Sequence, residues 1–135
     1  MAPEPFQYAV IRVVPRVERE EFLNVGVILF CRTMSFLAAR VALDPRRVEL
    51  LSPGVDAQEL AAHLDARVRT AAGEPDAGPI ARMSQSERFH WLVAPSSTVI
   101  QTSPVHSGVC DDPAVTLDRL FDALVATIQA PRTLD

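Results

Sequence analysis

Glu18, Glu20, Glu21 and Asn24 crowd into the segment EREEFLN, directly before the apolar run Val25–Cys31. Carboxylates at such a lip could serve as a general base, and an amide beside them could orient a substrate. If the strand extends from Glu20, side chains alternate, so Glu20, Phe22, Asn24, Gly26, Ile28 and Phe30 share one face and Glu21, Leu23, Val25, Val27 and Leu29 the other. Asn24 is then an amide among apolar neighbours, and burying it unpaired costs about 1–3 kcal/mol. Gly26 leaves room on that face for another backbone, a ring or a ligand. The architectural alternative has Asn24 capping a turn or tying down a bulge, with Gly26 admitting a helix. Arg12 poses the same choice. It follows Phe6, Tyr8 and Val10 on one strand face, and a hairpin turning near Arg16–Val17 brings it close to Glu20, Glu21 or Phe22. It either closes an ion pair at the sheet's end, worth about 0–1 kcal/mol if exposed, or reaches for a ligand carboxylate or phosphate.

A second polar concentration runs from Arg88 to Gly108, RFHWLVAPSSTVIQTSPVHSG, and holds Arg88, His90, Ser97, Thr98, His106 and Ser107 among apolar residues. Histidines and hydroxyls suit acid–base catalysis or a nucleophile beside a base. No GxSxG elbow supports that reading, and His90 is followed by Trp91-Leu92 instead of the HxT or HxS pair of a two-histidine phosphoesterase. SPVHSG is read as a tight turn, either a plain Ser/Gly turn or one whose backbone N–H groups face an anion with Arg88 as charge partner. His63 is expected at the surface, and Trp91 as a core or interface anchor. Cys31 and Cys110 belong to no ligand spacing, which predicts neither a metal site nor redox chemistry. No cofactor is expected.

The elements that must position these groups follow from periodicity. Phe6–Val14, Phe22–Cys31 and Phe36–Leu43 are rich in β-branched, aromatic and apolar residues and short of breakers, predicting a three-strand meander. The first two runs read as strands buried on both faces. VELL, Val48–Leu51, is too short to assign. Asp56 can cap a helix carrying the stripe Leu60, Leu64 and Val68 and stopping at Gly73. Glu74–Pro79 is a loop, and SQSERFHWLVA reads as a short helix capped by Ser84 or Ser86, although FHWLV alternates well enough for a strand. TVIQT has strand character. The last helix starts with Asp112 and Pro113, presents Leu117, Leu120, Phe121, Leu124, Val125 and Ile128, and ends at Pro131. Strands before helices predict an α+β fold, a largely antiparallel sheet with helices packed on one face. Residues 1–135 are expected to form a single domain.

Composition narrows the function classes. All 13 basic residues are arginine and the net charge is −4, which removes lysine Schiff-base chemistry and the phosphate-loop lysine. A pI near 5.3 makes nucleic acid an unexpected partner. A mean hydropathy of +0.13 with no run of roughly 18 apolar residues predicts no membrane span. MAPEPFQ lacks the features of a secretory signal, so a cytoplasmic location is expected.

YAVIRVVP, the segment E-x-x-NVGVILF (Glu21 to Phe30), RFHWL (Arg88 to Leu92), SSTVIQTSPVHSG (Ser96 to Gly108) and LDRLFDALV (Leu117 to Val125) together resemble the bacterial family known as domain of unknown function 3037. The resemblance spans nearly the whole chain. It singles out Glu21, Asn24, Arg88, Ser97, His106 and Gly108 without giving them a role. It also implies a protein partner, because members are often encoded beside a HipA-like kinase. Two functions follow as expectations. The first is a non-enzymatic interaction or regulatory module partnering that kinase. The second is an enzyme or sensor for a phosphorylated or nucleotide-like small molecule, bound between the ExxN and SPVHSG motifs. There Arg12 and Arg88 would hold the anion, Glu21 or His106 would act as base, and Asn24 would orient the substrate.

Overall fold

The structure is a computed structural model that describes residues 2–96 and 98–126. Ser97, Ile128 and Pro131 therefore lie outside the described residues. Strands β1 (Glu4–Val13), β2 (Leu23–Cys31) and β3 (Phe36–Val41) form the meander, with a 3₁₀ turn at Val17–Arg19 in the first connection. Helices α1 (Pro45–Leu51), α2 (Ala57–Ala72) and α3 (Gln85–Leu92) follow, then β4 (Ile100–Thr102), β5 (His106–Cys110) and α4 (Pro113–Phe121). The sheet is antiparallel throughout. β2 lies between β3 and β1, and the far edge of β1 is shared by β4, paired with Ile11–Val13, and β5, paired with Glu4–Tyr8.

Side-chain caps start the helices. Asp44, Asp56 and Asp112 each accept from a backbone N–H in the first turn, and Ser84 forms a reciprocal capping box with Glu87. Asp44 with Pro45 thus turns the unassigned VELL stretch into the end of α1. Gly73, at φ 76°, closes α2 in the left-handed conformation that an L side chain resists. α4 continues into a π-helical turn over Asp122–Ala126.

The α+β class and the antiparallel sheet are as expected, but the helices do not share one face. Ile28 and Phe30 of β2 join Leu60, Leu64 and Phe89 in one core. Val27, Leu29 and Cys31 join Leu117, Phe121 and Val125 in another. α4 thus covers the face opposite α2 and α3. The physical reason lies in β2, which is apolar on both pleats and so requires cover on both sides. No helix among the described residues is long and apolar enough to cross a membrane.

Candidate functional site

The polar residues singled out in the sequence are distributed through the architecture. The β1–β2 register slips between Ile11, opposite Gly26, and Arg12, opposite Asn24, so Val25 is an extra residue in a bulge. The bulge turns Val25 into the α2-side core and sends Asn24 toward α4. The expected alternation, with Asn24 on the face of Gly26, Ile28 and Phe30, is corrected by that one inserted residue. Asn24 donates from Nδ2 to the Leu124 carbonyl at 3.2 Å, tying the bulge to the π-helical turn. Gly26 makes room for strand β3, since a Cβ there would stand 2.8 Å from the Arg40 carbonyl oxygen.

Arg12 lays its guanidinium over the Phe22 ring, 4.1 Å from the centroid. Its Nε and the Asn24 Oδ1 are buried with no hydrogen-bond partner among the described residues. Glu21 pairs at 2.9 Å with Arg19, both well exposed. The ion pair expected of Arg12 is thus made by its neighbour in the connection.

Arg88 is buried between two helices. Its Nη1 donates to the Met83 carbonyl at 2.7 Å and its Nη2 to the Ala71 carbonyl at 3.2 Å. It thereby satisfies the C-terminal end of α2, where a cation also meets the helix dipole favourably. SPVHSG is not a turn alone. Its second half is β5, and Ser103 bridges the interval between β4 and β5. The Ser103 N–H donates to the Val10 carbonyl at 2.8 Å, and Ser103 Oγ accepts from the Val10 N–H at 2.9 Å. His106 sits opposite Tyr8 with ring centroids 5.2 Å apart, and a Cβ on Gly108 would strike the Phe6 ring at 2.8 Å.

These residues do not converge. Arg12 and Asn24 meet as register partners, whereas His106 opposes Tyr8, four residues or roughly 13 Å away along β1. Arg88 belongs to the α2–α3 layer on the other face of the sheet. Among the described residues both motifs are engaged in strand pairing and helix docking, and the groups expected to share one pocket lie apart. Ser97 lies outside the described residues.

A concavity lies elsewhere among the described residues. A cleft of about 600 Å³ opens between α2, the segment around Pro79 and Ile80, the end of α3 and Thr98–Ile100. Glu59, His63 and Arg67 line it from α2, spaced four residues apart and so stacked on one helix face beside the core stripe of Leu60 and Leu64. Trp91 also lines it and is 56% exposed, which excludes the core role. Arg67 donates from Nη1 to the Leu92 carbonyl at 3.3 Å, and burial lowers its pKa from the ordinary arginine value. The cleft hydroxyls are engaged: Thr70 donates to the Ala66 carbonyl and Thr98 to the Ile100 carbonyl, each at 2.8 Å.

A smaller concavity of about 400 Å³ gathers Gln7, Arg32, Ser86, His90 and Ser107 at the other end of α3. There His90 Nδ1 stands 3.0 Å from the Ser86 carbonyl, which as a donor from Nδ1 would leave Nε2 open. Among the described residues no group of three or more His, Cys, Asp or Glu is placed to hold a metal ion.

His63 is exposed, as expected, and lines the cleft as well, whereas nothing in the sequence alone singles out Arg67. The two belong to a second stripe, Glu59, His63, Arg67 and Thr70, running beside the apolar one. A model of the family described as "Protein of unknown function (DUF3037)" matches residues 8–125. No curated protein and no solved structure matches the chain.

Proposed function

The chain belongs to the DUF3037 family, whose function is unknown, and from that premise we propose that it is a non-enzymatic regulatory module, holding a small ligand in the α2–α3 cleft and partnering a HipA-like kinase. The observation that carries the ligand half is the cleft itself. Its volume of about 600 Å³ falls within the range that encloses a small molecule, roughly 300–1,000 Å³, and its walls are apolar with a few polar groups. Binding is favoured over catalysis because both threonine hydroxyls lining the cleft are committed to backbone carbonyls, leaving neither poised beside a base. The kinase half rests on the gene company implied by the family resemblance.

A thermal-shift screen of drug-sized compounds tests the ligand half. A compound that binds only the folded state at about 100 times its Kd stabilises it by roughly 2.7 kcal/mol. Compounds that raise the Tm of the wild type and not of Trp91→Ala support the cleft; shifts equal in both proteins refute it. Co-expression with the neighbouring kinase tests the other half, and a chain that elutes alone refutes it.

A second reading, the sensor of a phosphorylated or nucleotide-like molecule, is favoured by one observation, the gathering of Arg32, His90, Ser86 and Ser107 around the smaller concavity. Titration with ATP, followed through the His90 ring resonances, tests it. Resonances that do not move reject it.

A further inference from the structure

Resting on the reading of the α2–α3 cleft as a binding site, we infer that its ligand is a small aromatic carboxylate, the acid group held by Arg67 and the ring packed against Trp91. Arg67 is half-buried in the cleft wall. One of its N–H groups is used on the Leu92 carbonyl, and it takes part in none of the ion pairs among the described residues. A cation partly withdrawn from water, with no ion-pair partner among the described residues, is held at some cost, which an anionic ligand would offset. The guanidinium presents a planar fork that matches a carboxylate through two parallel hydrogen bonds. Among the described residues Arg67 is the only arginine lining the cleft, and the chain has no lysine, so the positive charge supplied there matches one negative charge better than two. Asp56 and Glu59 line the cleft from the start of α2. Glu59 lies roughly 12 Å from Arg67 along the helix axis, which further disfavours a dianion.

The ring follows from the wall formed by the end of α3 and Val99. Trp91 and Val99 are large apolar side chains left 56% and 40% exposed, and they border the cleft together with Leu92 and Ile100. An exposed indole facing an apolar wall offers a flat surface for another ring.

Trp91 is the only tryptophan, so its indole N–H gives a single cross-peak in a ¹H–¹⁵N spectrum and reports on the cleft directly. The probes are 2-naphthoate, its neutral amide 2-naphthamide, and 2-naphthyl phosphate. The expected result is saturable movement of the indole peak with 2-naphthoate, at least about 10-fold tighter than with the amide, the lower end of a charge-assisted hydrogen bond, and tighter than with the phosphate. Arg67→Met should bind acid and amide alike, and Arg67→Lys should restore part of the preference. Equal binding of acid and amide to the wild type, tighter binding of the phosphate, or an acid preference surviving in Arg67→Met overturns the carboxylate assignment while leaving the cleft a binding site. An indole peak unmoved by all three probes at millimolar concentration overturns both.

Discussion

Asn24 shows how a residue that looks catalytic can be structural. Its amide spans one hundred residues of sequence to reach the Leu124 carbonyl, and Asn24→Ala removes that donor within a half-buried site. The expected loss is about 1–3 kcal/mol, read from the urea midpoint at unchanged m-value. Cys110 offers a pH test. Burial first, and then the neighbouring Cys31, raise its thiol pKa above the ordinary value. The folded protein therefore keeps its proton over a range in which the unfolded chain releases it. That contribution to stability is complete below the ordinary thiol pKa, about 8.5, and is lost as pH rises through the higher folded value. Stability measured by denaturation between pH 8 and 10 should fall more steeply for the wild type than for Cys110→Ala. At this scale the sequence marked Asn24 and Arg12 as anomalies from their apolar company alone. Their partners were not legible, because a bulge inverts alternation without changing composition. That Arg67 and His63 line a cleft was not legible for the opposite reason, since a polar stripe lining a cleft has the spacing of any solvated helix face.

Ser103 carries the same lesson to the level of the strand. Pro104 has no N–H to offer a ladder, and the serine hydroxyl supplies the acceptor that the Val10 N–H needs between β4 and β5. Ser103→Ala leaves that N–H buried and unpaired. The expectation is accelerated hydrogen exchange at Val10 and a destabilisation of about 1–3 kcal/mol; exchange at the wild-type rate would refute the bridging role. The meander and helices α2, α3 and α4 were readable because their apolar periods and caps agree. β5 was not, because Ser, Pro and Gly signal turns, whereas Gly108 is there to clear the Phe6 ring. α1 was missed for brevity, although its Asp-Pro start repeats the grammar of α4.

At the scale of the whole molecule, two cores lie on either side of one sheet and β2 contributes to both. They should therefore melt together. Leu64→Ala in the α2-side core is expected to cost about 2–5 kcal/mol and Phe121→Ala in the α4-side core about 3–5 kcal/mol. Each should give a single urea transition. A biphasic transition in either variant would mean that the layers fold independently. Two-sided cover was implicit in the unbroken apolar run of β2, and the one-face arrangement overlooked that implication.

The clasp that Arg88 makes between Ala71 and Met83 lies outside the cleft but joins the two helices that form its jaws. It ties the start of α3 to the end of α2, so the spacing of the two helices rests in part on it. Arg88→Lys, which keeps the charge but loses the fork, should loosen that tie. A captured molecule should then escape faster while its rate of arrival stays the same, a separation that stopped-flow measurement would resolve.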